Sequence, residues 1–419
     1  MSTQPTLQRR LNTADAVFIG LGSMIGAGVF AAFTPAAQAA GAGLLIGLAV
    51  AALVAVCNAL ASAQLATAFP TSGGTYVYGR EQLGPWWGFL AGWSFVIGKT
   101  ASCAAMAITF ASYAAPSGWE KPIAVLAVAG LAAVNYRGVT RTAQLTRIIV
   151  VLVAASLAIV VAASGASGLP FLQDLDTSQL LAKGPYGLLQ SAGLLFFAFA
   201  GYARVATMGE EVKSPTRTIP RAIIIALSIT VVIYGIVGVT LLSTLGAHGL
   251  AESTAPLRDA ATSGGWAWTA PVVTVGAALA SLGALFALIA GIGRTTLAMA
   301  REGDLPRWLA AVHPRFHVPH RAEVVLALVV VALVLTLDLR GAIGFSSFGV
   351  LLYYFVANLS AFSQLRERRL FPRALFVVGG LGCVVLVSTL PLASIVGGLV
   401  VLAVGFAYRS IRSIRNRPR

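Results

Sequence analysis

The feature that most constrains the fold is a succession of apolar segments, most of them long enough, at about 20 residues, to cross a bilayer as helices. The segments lack the alternation of about ten residues that is typical of transmembrane β-barrels. Charged residues make up 10% of the chain, whereas soluble domains contain about 25%. The sequence therefore predicts an all-α integral membrane protein with about 12 transmembrane helices.

Lysine and arginine residues are distributed unevenly among the predicted loops. If the N-terminus is cytoplasmic, most of the 29 Lys and Arg residues lie on the cytoplasmic side. The predicted outer loops hold only Lys121, Lys183, Arg258 and Arg340. This asymmetry follows the positive-inside rule and predicts a multi-pass protein of the cell membrane with both termini in the cytoplasm. The net charge of +15 then reflects contact with anionic membrane lipid, and we expect no nucleic-acid partner.

Glycine is unusually concentrated in the first apolar segment, with four glycines between Phe18 and Phe30. A glycine costs about 1 kcal/mol relative to alanine inside a helix, so the stretch predicts either close helix packing or a break. A break within Ser23–Gly28 would present free backbone N–H groups at mid-membrane depth, where they can bind a carboxylate. The alternative is a helix-packing motif formed by Gly22 and Gly26.

A second, weaker break signal lies at Gly201 in the sixth segment. This segment would open a second group of five helices just as the first segment opens the first group. Interrupted helices at matching positions indicate an inverted-repeat transporter with its binding site between the repeats. The predicted organisation is a cytoplasmic N-terminal tail (1–12), a first repeat (13–165), an extracellular loop (166–184), a second repeat (185–365), two further helices (366–408) and a basic cytoplasmic tail (409–419).

Six motifs follow one another along most of the chain: Gly22–Phe30, Pro70–Tyr76, Gly84–Trp93, Phe196–Pro220, Met299–Pro306 and Val312–Arg315. Their residues and their order resemble those of the amino acid–polyamine–organocation superfamily of permeases. The resemblance implies a bundle of two inverted five-helix repeats and two additional helices. It also implies that an amino acid binds at mid-membrane between the broken first and sixth helices.

The resemblance assigns each end of the amino acid to a group of backbone atoms. The α-carboxylate would meet the amides around Ala27 and Gly28, near Ser23. The α-ammonium would meet carbonyls of the two breaks, and an aromatic ring of the sixth helix would cover the ligand. Phe197 or Phe199 is the candidate ring, with Tyr202 as the alternative. The expected substrate-binding residues are Ser23, Met24, Ile25, Gly26, Ala27, Gly28, Phe197, Phe199, Ala200, Gly201, Tyr202, Gly98 and Cys103.

The sequence departs from the superfamily pattern at positions that bear on coupling. Ala203 stands where many relatives carry an acidic residue, and Val153 where some carry a lysine. Lys99 instead lies near the centre of the third segment, where a charge costs about 2.5–3.5 kcal/mol. It could exchange a proton during transport, reach the gap left by Val153, or pair with an anionic substrate. The alternative is a lysine held by backbone carbonyls.

Three charged residues near the cytoplasmic end of the sixth segment are candidates for gating. Arg204 would face Glu210, Glu211 or the substrate cavity. The two glutamates are alternatively expected to pair with nearby cations as a gate or as a brace of the loop. Those cations are Lys213, Arg217 and Arg221.

The expected function is secondary active transport of an amino acid by alternating access, with protons as a candidate coupling ion and exchange equally allowed. No acidic residue lies centrally in any segment, which disfavours cationic substrates. Neutral amino acids come first, and acidic ones second because of Lys99. The alternative from a different class is a membrane sensor that binds its ligand without moving it.

The remaining motifs do not indicate other chemistry. We find no nucleotide-binding or catalytic motif, and we expect no cofactor and no enzymatic activity. The histidines His313, His317 and His320 lie in a loop that matches the superfamily, and we expect no metal there. The three cysteines are isolated in apolar segments, which favours a packing role.

Overall fold

The computed structural model describes residues 10–70, 73–138, 143–165, 177–263 and 265–415. Within these ranges every regular element is a helix. Nine stretches in this part of the chain are long and apolar enough to cross a membrane. Three shorter helices, Glu120–Tyr136, His320–Thr336 and Arg373–Ser388, occupy the positions of the fourth, ninth and eleventh predicted segments. The prediction of an all-α multi-span membrane protein is confirmed.

The helices are numbered here in chain order. They are α1 (Thr13–Met24), α2 (Ala27–Ala31), α3 (Phe33–Ala40), α4 (Leu44–Ala68), α5 (Gly74–Leu83), α6 (Pro85–Ala114), α7 (Glu120–Tyr136), α8 (Ala143–Gly165), α9 (Thr177–Leu181), α10 (Gly184–Phe199), α11 (Ala203–Ala206), α12 (Pro215–Glu252), α13 (Pro256–Ser263), α14 (Thr269–Arg301), α15 (His320–Thr336), α16 (Leu339–Ser363), α17 (Arg373–Ser388) and α18 (Leu392–Arg415). Single 3₁₀ turns occupy Gly41–Gly43, Ala200–Tyr202, Arg307–Ala310 and Arg366–Arg368.

Local sequence explains where several helices begin. Asn12 caps α1, because its side chain accepts from the Asp15 N–H while the Asp15 carboxylate accepts from the Asn12 N–H. This reciprocal arrangement satisfies two N–H groups that the first turn would leave unpaired. Proline opens α6 at Pro85, where the missing N–H costs nothing.

Two helix boundaries differ from the predicted ones. The seventh crossing, predicted over about Ala222–Leu245, begins at Pro215 and is interrupted at Gly246, whose φ of 67° only glycine adopts readily. The last helix continues through the predicted tail boundary to Arg415. It is held there by Arg412, which donates to the Leu305 carbonyl. In the predicted outer loop, Asp174 and Asp176 lie outside the described residues.

Small residues let the central helices approach one another closely. A Cβ atom on Gly98 of α6 would lie 3.0 Å from the Cα of Gly349 in α16. Glycine at such contacts allows close helix packing within the membrane. Gly98, expected to line the substrate pocket, therefore lies in the contact between α6 and α16.

Candidate functional site

The first membrane crossing is broken at two residues. Helix α1 ends at Met24, and α2 begins at Ala27. Between them, Gly26 has a ψ of −134°, far from the helical value of about −42°. The break is centred on Ile25 and Gly26 and is narrower than the predicted stretch. Ser23, at the end of α1, donates its hydroxyl to the Ile19 carbonyl of its own helix.

The sixth crossing is tightened where the sequence predicted a break. Helix α10 ends at Phe199, and the 3₁₀ turn Ala200–Tyr202 leads directly into the short helix α11. A 3₁₀ turn inside a longer helix often marks a functional hinge. The sixth crossing therefore changes helix type around Gly201 without unwinding.

The first and sixth crossings touch on either side of the break in the first crossing. A Cβ atom on Gly201 would collide with the Ser23 carbonyl, and one on Gly28 would lie 2.6 Å from the Ala198 Cα. Gly26 likewise approaches Ala284 of α14, at 3.0 Å. The glycines thus allow both features that the sequence indicated. The first crossing is interrupted, and it also packs closely against α10.

The three candidate aromatic residues of the sixth crossing are buried. The Phe199 ring lies against Tyr234, with 5.0 Å between ring centroids. Tyr202 stacks on Tyr354 at 4.9 Å. Phe197 is the most exposed of the three, at 7%. Of these rings, Phe197 therefore has the fewest packing constraints.

Tyr234 of α12 was not predicted and connects the two crossings. Its hydroxyl oxygen lies 2.6 Å from the Met24 carbonyl oxygen and 3.0 Å from that of Ala198. A buried tyrosine hydroxyl needs a hydrogen-bond partner, and here the partners come from both interrupted helices. No local pattern distinguishes this tyrosine in the sequence, because its role depends on contacts between distant segments.

Lys99 reaches the interruption of the sixth crossing. Its Nζ donates to the Ala200 carbonyl oxygen at 3.2 Å, and the Tyr354 hydroxyl donates to the same oxygen at 3.3 Å. Lys99 is only 7% exposed. Within the described ranges, no carboxylate oxygen lies within 4.0 Å of its Nζ. The lysine is thus held by a backbone carbonyl.

Two other predicted positions lie close to the first break. Val153 of α8 is buried and lies beside Gly22 and Gly26. Cys103 is fully buried and belongs to an apolar cluster that also contains Ala27. Lys99 is directed at Ala200 in the sixth crossing, so its contact lies on the other interrupted helix.

Charged residues in α11 and in the turn after it form a brace. Arg204 pairs with Glu211, with 3.6 Å between Nη2 and Oε1, and Glu210 lies in the same turn. The backbone carbonyl of Glu211 accepts from the N–H groups of Arg10 and Leu11, each at 3.1 Å. These contacts tie the chain preceding α1 to the turn after α11.

A second cluster of charged residues surrounds Asp304, which is 4% exposed. Its carboxylate accepts from the Tyr76 hydroxyl at 2.9 Å and from Arg80 at 3.3 Å. Arg409 of α18 lies 3.0 Å away and also covers the Trp86 ring. Burial raises the pKa of the Asp304 carboxyl, while Arg409, Tyr76 and Arg80 act in the opposite direction. The cluster joins the loop after α14 to α5 and α18.

Comparison of this sequence with those of known proteins identifies its family. The sequence profile of the amino acid permease family matches residues 11–412. An uncharacterized transporter of Mycobacterium tuberculosis is 57% identical over 415 residues, which cover 98% of this chain and 93% of the relative. A branched-chain amino acid permease of Bacillus subtilis is 26% identical over 344 residues, covering 77% of this chain and 73% of the relative.

Another relative is named for a different class of substrate. The chloroplastic cationic amino acid transporter 7 of Arabidopsis thaliana is 28% identical over 385 residues, covering 85% of this chain and 66% of the relative. These matches confirm the resemblance found in the sequence and indicate a transporter rather than an enzyme. The chain belongs to the amino acid permease family of the amino acid–polyamine–organocation superfamily.

Proposed function

We propose that this permease moves a neutral amino acid across the cell membrane by alternating access, with its substrate bound between the two interrupted crossings. The observation that carries the proposal is the meeting of these crossings, where Gly201 lies against Ser23 and Gly28 against Ala198. Irregular backbone at membrane depth is tolerated where it faces protein or a binding cavity. Both termini are proposed to be cytoplasmic, because the basic loops then lie inside.

The proposed pose places the α-carboxylate at the amides that begin α2, around Ala27 and Gly28. The α-ammonium lies at carbonyls of Met24, Phe199 and Ala200. Phe197 is the proposed cover, because it retains more exposure than Phe199 or Tyr202. This assignment rests on the superfamily pattern and on the proximity of the two breaks.

The preference for neutral substrates follows from the charge of the site. Lys99 already contributes a buried cation beside Ala200, so a second cation on the ligand side chain would meet a like charge. An acidic side chain would meet an opposite charge, which makes acidic amino acids the second candidate. Lys99 is also the candidate group for coupling to protons, because it is a buried titratable side chain that contacts the sixth crossing.

A panel of all common amino acids, tested by thermal shift on the purified protein, is the first experiment. Ligand binding raises apparent stability, and the largest shifts are expected for neutral amino acids. Uptake of the labelled best ligand into proteoliposomes then separates transport from sensing. Binding without accumulation would contradict transport and support a sensor.

The proposed position of the substrate carboxylate is best tested by changing the ligand and keeping the protein unchanged. A side chain at Gly28 would collide with α10, so a substitution there would disturb packing together with binding. Leucine should bind, whereas 3-methylbutylamine, which lacks only the carboxylate, should lose most of the affinity. Equal affinities for leucine and 3-methylbutylamine would contradict the proposed carboxylate site.

Proton coupling is tested by the pH dependence of uptake in Lys99→Ala. Titratable groups close to Lys99 include Cys103 on its own helix and Tyr354 on α16, which donates to the same carbonyl. If Lys99 exchanges the coupling proton, the variant should lose the pH dependence of the normal protein. Identical pH profiles would exclude Lys99 as the coupling group.

A further inference from the structure

One of the carbonyls proposed to accept the substrate ammonium, that of Ala200, already has two side-chain donors. The Ala200 carbonyl accepts from Lys99 Nζ at 3.2 Å and from the Tyr354 hydroxyl at 3.3 Å. A carbonyl oxygen has two lone pairs. An additional donor can bind this oxygen only by replacing one of the two.

The carbonyl is a suitable place for a cation. Ala200 directly follows the last residue of α10, so its oxygen lies at the end of that helix where the dipole is negative. Lys99 is 7% exposed, and in the described part of the chain no carboxylate lies within ion-pairing distance of it. A buried cation without a counterion is costly, and here a backbone carbonyl is the compensating group.

Of the two donors, Lys99 is the one that can leave. Tyr354 is fully buried, and its ring is fixed between Tyr202, at 4.9 Å, and Phe196, at 5.8 Å between centroids. Lys99 has a flexible side chain of four carbons and the same positive charge as an α-ammonium group. It is thus the chemical equivalent of the incoming group.

We propose that Lys99 is an internal competitor of the substrate, whose ammonium holds the Ala200 carbonyl until the α-ammonium of the amino acid replaces it. This inference rests on the proposed function and adds a specific role for Lys99 in it. Binding then requires Lys99 to move away from α10. Every amino acid must displace the same group, so the competition lowers affinity for all of them and acts only on ligands that have an amino group.

The consequence can be measured as a change of affinity. When only a fraction of the protein has a free acceptor, the apparent Kd is the intrinsic Kd divided by that fraction. If Lys99 occupies the carbonyl about nine-tenths of the time, its removal should tighten amino acid binding about tenfold. The Lys99→Met variant removes the charge and keeps an unbranched side chain of similar length.

The experiment compares ligands with and without the amino group. Dissociation constants are measured by calorimetry for leucine and 4-methylpentanoate, alanine and propanoate, and phenylalanine and 3-phenylpropanoate. Lys99→Met should bind the amino acids about tenfold more tightly and leave the affinities for the carboxylic acids unchanged. The difference between the two effects is the coupling between Lys99 and the ligand amino group.

Two further variants serve as controls. Thr100→Val changes the neighbouring residue, whose hydroxyl donates to the Val96 carbonyl of its own helix, and it should leave all affinities unchanged. Lys99→Ala should reproduce the effect of Lys99→Met and keeps the test valid if one variant fails to fold.

The outcomes separate this inference from the proposed function. If the amino acids bind the normal protein and Lys99→Met does not tighten them selectively, the inference fails and the proposed function stands. If Lys99→Met weakens both members of each pair, Lys99 binds the carboxylate, which also overturns the inference. If none of the three amino acids binds any variant, the proposed function fails, and the inference fails with it.

Discussion

Two buried charged residues of this permease, Asp304 and Lys99, have different kinds of partner. The Asp304 carboxylate, in the loop after α14, is surrounded by Arg80, Arg409 and the Tyr76 hydroxyl. The Lys99 side chain, within α6, has a backbone carbonyl as its acceptor. Asp304 has several partners from separate elements, which suits a permanent link between them. Lys99 has a partner that a ligand can replace, which suits a site that must change during each cycle.

The largest effect is expected from Asp304→Ala. The substitution leaves Arg409 and Arg80 without their buried carboxylate, and breaking such a pair costs about 3–5 kcal/mol. Thermal unfolding of the purified variant should show a large fall in melting temperature. Glu302→Ala is the control, because Glu302 also pairs with Arg80, at 3.2 Å, but its side chain is 53% exposed. Equal effects of the two variants would show that the partners of Asp304 do not determine its contribution.

A smaller effect is expected from Tyr354→Phe. This change removes the neutral donor to Ala200 and retains the ring, so it should reduce stability by about 0.5–1.5 kcal/mol. Tyr186→Phe provides the comparison, since Tyr186 is 57% exposed. If both variants melt at the normal temperature, the hydroxyl does not contribute to holding the Ala200 carbonyl.

The pH dependence of stability tests the environment of Asp304. Because burial raises the pKa of its carboxyl, the part of its contribution to stability that depends on ionisation is greatest below the unfolded value of about 3.9. The contribution is lost as the pH rises through the higher folded value. Asp304→Asn cannot ionise, so its melting temperature should decline less steeply with pH above about 4. If the melting temperatures of the normal protein and of the variant change with pH in parallel, the raised pKa of Asp304 is contradicted.

The smallest effect on stability is expected from Lys99→Met. Because Lys99 has no carboxylate partner among the described residues, its removal leaves no unpaired buried charge, and Tyr354 still donates to Ala200. The free energy of unfolding should not fall, since the variant removes a buried cation that has no counterion among the described residues. A loss as large as that of Asp304→Ala would make Lys99 a structural residue and remove the contrast between the two charges.

Features that depend on local sequence were predictable. The lengths of the apolar segments indicated the membrane helices, and the glycines around Gly26 indicated the break between α1 and α2. Lys99 was conspicuous because a charge inside an apolar segment is rare. Its partner was not predictable, since every residue has a carbonyl and only the approach of α6 to α10 selects that of Ala200.

Features that depend on distant contacts were missed. The roles of Tyr234 and Tyr354 require carbonyls from segments far away in the chain, and nothing near these tyrosines separates them from the exposed Tyr186. The extension of α18 was missed because Arg409 appeared as part of a basic tail. The ion-pair partner of Arg409, Asp304, lies in the loop after α14, far from α18 in the sequence.

The short backbone pairing between Leu11 and Val212 has a mechanical consequence. It attaches the chain just before α1 to the turn after α11. Two helices joined at one end cannot separate there, although each can still tilt. A rotation of α1 would therefore move the end of the sixth crossing with it, so that these parts of the first and sixth crossings form a single moving unit.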